Sequence, residues 1–244
     1  MTTLAFWHGW GISPEVFTPF ITELKKELPD HIRFQPMPLP GYDGTSLPEG
    51  NPCEVWVDVM MENVTEPVIL CGWSMGAILA LSAALRYPEK IGKLILFGAT
   101  PCFVEKPDWK NAVSFLTGHQ FRTDVENDTH RTLRHFVSLF NHQDKNARNI
   151  VRQLLALPTS PLPVLEAGLD YLAKMDLRSR IADIHQKTLL IHGAYDPLMP
   201  VEAARWLEKT MPDASLHILP DVAHAPFLSQ PAECATRVKQ FLSQ

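Results

Sequence analysis

From Val68 to Leu85 the chain runs 18 residues without a formal charge. A run of that length reaches the threshold for a transmembrane helix. Its centre argues against one. Gly72-Trp73-Ser74-Met75-Gly76 splits the run into an apolar strand, Val68–Cys71, and an apolar helix, Ala77–Leu85. A strand with no polar alternation must be buried on both faces, as in a parallel sheet covered by helices.

The flanking segments repeat that rhythm. Thr3–Trp7 is a short apolar run ending in His8-Gly9-Trp10-Gly11, and Val16, Phe20 and Leu24 recur at helical spacing. Ile32–Leu39 is extended and ends in the turn Pro40-Gly41-Tyr42-Asp43-Gly44; Val55 and Val59 then share a helix face. Strand Lys93–Phe97 follows. From about Glu105 to Arg180 only helical periodicity is visible. The α/β pattern resumes with strand Leu189–His192, a helix over 201–211, strand Ser215–Leu219 and a helix over 231–242. The reading is an α/β chain with a mostly parallel central sheet flanked by helices. Residues 1–104 and 181–244 form its core, and 105–180 an inserted helical cap.

Composition excludes several classes. Of 244 residues 45% are hydrophobic, enough for a substantial core and too many for a disordered chain. Asp and Glu outnumber Lys and Arg by 27 to 22, which argues against a general nucleic-acid binder. Cys53, Cys71, Cys102 and Cys234 form no close pair and read as reduced thiols of a cytoplasmic protein. No signal peptide or membrane segment is expected.

The pentapeptide around Ser74 fits G-x-S-x-G between strand and helix. A serine alcohol is a weak nucleophile and needs exposure on a sharp turn and a base to accept its proton. The alternative is a glycine-flanked serine in an ordinary turn. A base and an orienting acid complete the set in the order Ser, Asp, His. Asp196 follows strand Leu189–Ile191, and His224 follows the strand ending at Leu219. Both stand at carboxyl ends of strands, where open α/β sheets place their sites. His224 would take the Ser74 proton, and Asp196 would hold the imidazole tautomer. The backbone N–H groups of Trp10 and Met75 are assigned to an oxyanion hole. His8 and His192 read as buried structural histidines. Metal-ligand spacing, a Walker loop and a dinucleotide fingerprint are all missing, so neither a metal nor another cofactor is expected.

In this order, HGWG, GWSMG, GAYDPLMP and VAHAPF resemble the α/β-hydrolase superfamily along nearly the whole chain. The stretches HGWGISPEVF, TPCF, LALPTSPLPVLEAGLDYLAKMDLR and AHAPFLSQPAE resemble more narrowly the pimeloyl-acyl-carrier-protein methyl ester esterases of biotin synthesis. The resemblance implies a serine carboxylesterase that works through an acyl-enzyme and cleaves the methyl ester of a pimeloyl chain held on an acyl-carrier protein. It implies catalysis by Ser74, Asp196 and His224. Substrate contacts would come from Trp10, Ser74, Met75, His224 and the cap stretch Phe136, Val137, Ser138, Leu139 and Phe140. Arg131, Arg134, Arg148 and Arg152 would contact the carrier protein, with His135 where an arginine would be expected. That family usually has a β-hairpin before its first HG strand; here the strand comes almost at once, so one sheet edge is expected to be shortened.

The residues themselves say less about partners. Residues 129–157 hold five Lys or Arg and one acid, Asp144. That basic face suits an acidic partner, or is an ordinary solvated surface. Leu133, Phe136, Val137 and Phe140 either line an acyl channel or form lid core. Two rivals stand beside the leading reading: another hydrolase of the same fold, such as a small-ester esterase or C–C hydrolase, and a non-catalytic ligand receptor. A monomer is expected.

Overall fold

The computed structural model describes residues 2–49 and 52–244. Six strands form one sheet: β1 (Thr3–Trp7), β2 (Arg33–Met37), β3 (Val68–Trp73), β4 (Ile91–Phe97), β5 (Lys187–Gly193) and β6 (Ala214–Leu219). Their order is β2-β1-β3-β4-β5-β6, and every pairing is parallel. The uncharged runs became the central strands, where Leu70, Leu94, Ile95 and Ile191 are fully buried. β2 lies at an edge. Its Pro36 has no N–H to give to a neighbour, and an edge strand tolerates that.

The helices are α1 (Thr18–Glu27), α2 (Pro52–Glu62), α3 (Met75–Arg86), α4 (Phe115–Asn127), α5 (Thr129–Leu139), α6 (Ala147–Leu155), α7 (Leu162–Lys174), α8 (Val201–Thr210), α9 (Pro226–Ser229) and α10 (Pro231–Leu242). α1 packs on α10 and α2 on α3, and the 3-10 segment Arg178–Asp183 touches both α3 and α8. α2 buries a different face from the one that Val55 and Val59 share. Its buried residues are Trp56, Val57, Met60 and Met61, and Val59 is exposed. Val55 and Val59 share a face, but the bulkier Trp and Met side chains a step away claim the core. Trp56 stacks on Tyr171 of α7, with centroids 6.2 Å apart, and so joins α2 to the inserted helices.

That insert, α4 to α7, lies between β4 and β5. Helix begins only at Phe115, later than the periodicity suggested. Residues 102–113 instead form short bridges, Val104 with Val113 and Lys106 with Trp109. The cause is packing onto the core. Trp109 sits edge-on to Trp206 of α8 and donates its indole N–H to the Cys102 carbonyl.

The chain steps from β1 out to β2, then crosses back past β1 to β3. The order therefore reverses between β1 and β3. Loops leaving these two strands diverge and open a crevice at their carboxyl ends. Cys71, Cys102 and Cys234 are buried free thiols; Cys53 lies outside the described side chains. Among the described residues no helix is long and apolar enough to cross a membrane.

Candidate active site

Ser74 stands on the crevice, between the last residue of β3 and the first of α3, with φ 58° and ψ −121°. Few residues other than glycine hold such a conformation, so the surroundings must fix it. The Ser74 N–H donates to the Phe97 carbonyl at 3.1 Å, and its own carbonyl accepts from Ala77 and Ile78. The glycines of the motif serve close approach. A Cβ on Gly76 would lie 2.2 Å from the Trp7 carbonyl oxygen, and one on Gly72 2.5 Å from that of Gly76. The turn can thus press α3 against the end of β1.

The Ser74 hydroxyl donates to His224 Nε2 at 2.9 Å, and His224 Nδ1–H donates to Asp196 Oδ2 at 2.7 Å. The other oxygen of Asp196 accepts the N–H groups of Leu198 and Met199, both at 2.9 Å. All three side chains are buried. Burial alone would push the Asp196 carboxyl up; the charge and hydrogen bond of His224, aided by His192 and the Met199 N–H, hold it below its usual range. An ionised Asp196 fixes the proton on Nδ1 and leaves Nε2 free to accept from serine. The indole N–H of Trp73 donates to the His224 carbonyl at 2.8 Å, and the imidazole packs against the Trp73 and Phe140 rings, which also touch each other.

The two other histidines beside the site are occupied. His8 donates Nδ1–H to the Gly9 carbonyl, and its Nε2 accepts the Leu39 N–H. Burial pushes its imidazole from 6.5 down to about 4. His192 donates to the Met199 carbonyl at 2.6 Å and touches the Asp196 carboxylate at 3.5 Å; burial likewise lowers it. The free lone pair of His8 is taken by a backbone N–H, whereas that of His224 faces an alcohol, so His8 has no nucleophile to serve as a base.

Trp10 follows β1 and faces the same crevice. Its indole N–H donates to the Leu165 carbonyl of α7 at 2.8 Å. Met75 is the first residue of α3, so its N–H has no carbonyl one turn back to bond. The buried Tyr42 hydroxyl accepts the Gly11 N–H at 2.9 Å. Gly98, at φ 52°, leaves room for the acid and base: a Cβ there would lie 3.2 Å from both the Asp196 carboxylate and the His224 ring.

A cavity of about 320 Å³ opens above Ser74. Trp10, Phe121, Phe136, Leu139, Phe140 and His224 are among its walls. Trp10 meets Phe121 and Phe136 with centroids 5.4 Å away in each case. Of the cap residues proposed from sequence, Phe136, Leu139 and Phe140 border this space; Val137 and Ser138 do not. Helix geometry is the reason. Val137 turns into the lid core, as Leu133 does, and the Ser138 hydroxyl points outward and bonds the Arg134 carbonyl. Met75 also stands outside the walls, its side chain fully buried. Sequence reasoning missed Phe121, Gly98 and Tyr42. Phe121 sits in an irregular part of the pattern, but Gly98 directly after a strand end was a usable signal.

Arg131, Arg134, Arg148 and Arg152 are exposed on α5 and α6, two helices that pack together. Among the described residues none has a carboxylate within salt-bridge reach. No cluster of His, Cys, Asp or Glu among the described residues could hold a metal ion.

This chain belongs to the alpha/beta hydrolase family, whose pattern it matches over residues 4–237. Among curated relatives it is similar to the pimeloyl-[acyl-carrier protein] methyl ester esterase of Aromatoleum aromaticum, with 38% identity over 97% of this chain and 96% of that protein. The protein of the same name from Nitrosospira multiformis is 32% identical over 98% of this chain and 93% of its own length. An esterase from Exiguobacterium antarcticum shares the fold, with a TM-score of 0.89 at 20% identity over 100% of this chain and 92% of its own.

Proposed function

We propose that this protein is a serine carboxylesterase that hydrolyses the methyl ester of pimeloyl-acyl-carrier protein in biotin synthesis. The observation that carries the reading is the hydrogen-bonded Ser74–His224–Asp196 set at the floor of an aromatic-walled cavity. Full-length relatives of that name supply the substrate.

The hydrogen bonds of the set support the following steps. Ser74 Oγ attacks the ester carbonyl carbon as His224 Nε2 takes its proton. The carbonyl oxygen becomes an oxyanion facing the N–H groups of Trp10 and Met75, a contact typically worth about 3 kcal/mol of barrier per donor. Collapse expels methanol, protonated by His224, and leaves the acyl chain on Ser74. Water then attacks that ester, His224 takes its proton, and the free carboxylate and Ser74 hydroxyl are released.

A volume of about 320 Å³ is at the small end for ligand sites and suits one acyl chain. The acyl chain would lie along Trp10, Phe136, Leu139 and Phe140. Leu139 both borders the cavity and is 50% exposed, so α5 runs from its arginines to the cavity mouth. Arg131, Arg134, Arg148 and Arg152 would then meet the acidic carrier protein outside. On this reading the cap spans 105–180, and the enzyme works as a monomer in the cytoplasm, where its buried thiols stay reduced.

Complementation tests the substrate. The gene should restore growth without biotin to a strain lacking this esterase, and the Ser74→Ala form should not. Purified protein should release methanol from the carrier-bound ester. Turnover of short esters alone would return the protein to the general esterases, and no covalent labelling of Ser74 by a fluorophosphonate would make it a receptor.

A further inference from the structure

Asp144 was the one acid in the basic stretch of the cap, and on the surface it would merely dilute that charge. The structure buries it. Its Oδ2 accepts the N–H of Ala223 at 2.9 Å, and Ala223 directly precedes His224. Its Oδ1 accepts the Ser229 hydroxyl and the Asn146 N–H, both at 2.7 Å. One carboxylate therefore joins the α5–α6 turn of the cap to the loop and short helix that follow β6.

Other bonds cross the same seam. The Lys145 N–H donates to the Asp221 carbonyl at 3.0 Å, and the Asn146 side-chain amide to the Ser229 carbonyl at 2.8 Å. Asp221 itself sits at φ 57°, a left-handed conformation that Asp tolerates better than most residues. Phe140, at the start of the turn, packs against the His224 ring with centroids 5.3 Å apart.

We propose that Asp144 is a positioning residue for His224: its buried carboxylate fastens the cap to the histidine loop, so that the lid also sets the register of the base. Buried charge-assisted bonds are the strong kind, and removing the carboxylate leaves Ala223 N–H and Ser229 hydroxyl without their partner. The inference rests on the triad reading above, which Ser74→Ala tests separately.

The test compares wild type, Asp144→Ala and Asp144→Asn on a short p-nitrophenyl ester, which needs no carrier protein. Thermal unfolding checks the fold, and a fluorophosphonate counts competent sites and times their labelling. Asp144→Ala should label to completion, but at least tenfold more slowly, and its kcat should fall at least tenfold with KM within threefold. Asp144→Asn, whose amide oxygen can still accept from Ala223, should recover part of the loss. A residue that only stabilises the fold would lower the labelling end point and leave the rate per labelled site unchanged, which overturns the proposal. So does a rise in KM at constant kcat. If Asp144→Ala does not fold, Asp144→Asn decides: wild-type kcat in that variant refutes the role. Activity surviving in Ser74→Ala would instead overturn the triad, whatever Asp144 does.

Discussion

Gly193 and Ala223 touch so closely that a Cβ on Gly193 would lie 2.0 Å from the Ala223 carbonyl oxygen. Gly193 ends β5, three residues before Asp196, and Ala223 precedes His224. The loops bearing acid and base are therefore in backbone contact, and only glycine allows it. Gly193→Ala should force the loops apart. The overpacking should cost about 1–3 kcal/mol, and kcat should fall at least tenfold as the 2.7 Å Asp196–His224 bond loosens. Thermal unfolding and ester kinetics together check this; an unshifted Tm with full activity would show that the backbone gives way easily.

Ser74→Ala removes one oxygen from a turn otherwise fixed by backbone bonds. The variant should fold as wild type and lose at least about a thousandfold in kcat, the scale of losing a triad member. More than a tenth of wild-type activity in the purified variant would remove Ser74 from the role.

Acid should destabilise the protein through His8. The folded protein keeps this imidazole neutral down to about pH 4, against 6.5 for a free one. Between those values the unfolded chain binds more protons, so stability falls as pH falls through that window. The slope is about 1.4 kcal/mol per pH unit at most, so the whole window is on the order of 3 kcal/mol. His192, also lowered by burial, acts in the same direction. Asp196, held below its usual range, adds a loss at lower pH as it protonates. Urea unfolding at pH 7 and pH 4.5 measures the effect. His8→Gln should be less stable at pH 7 but show a smaller drop between the two. An equal drop in both proteins would assign acid sensitivity elsewhere.

The strands were legible because burial on both faces leaves uncharged runs, and Thr3–Trp7 ended where the pattern said. Ser74, Asp196 and His224 were legible because strand ends in an α/β chain converge on one edge. What the sequence hid depends on contacts across the chain. Val137 and Ser138 neighbour cavity residues in sequence, yet a helix turns them to core and solvent. Asp144 looked like surface charge because its partners, Ala223 and Ser229, lie 79 and 85 residues away. Residues 105–114 looked helical because nothing local reveals that Trp109 docks on Trp206.

The basic face of the cap supplies the last prediction. Arg131, Arg134, Arg148 and Arg152 point to solvent, so their effect on Ser74 chemistry should be small. If they receive an acidic carrier protein, reversing two of them, as in Arg131→Glu with Arg148→Glu, should slow only the carrier-bound ester. An exposed pair is worth about 1 kcal/mol or less, but reversal adds repulsion to the lost attraction. At about 1.4 kcal/mol per decade, a fall of roughly tenfold or more in kcat/KM is expected for that substrate. A short soluble ester should be turned over nearly as by wild type. Salt should weaken the wild-type reaction with the carrier substrate, because the Debye length shrinks from about 10 Å at 0.1 M to about 3 Å at 1 M. The reversed protein should be less salt-sensitive, since its attraction is already gone. Equal losses on both substrates would mean that the arginines hold the lid together and do not recruit the carrier.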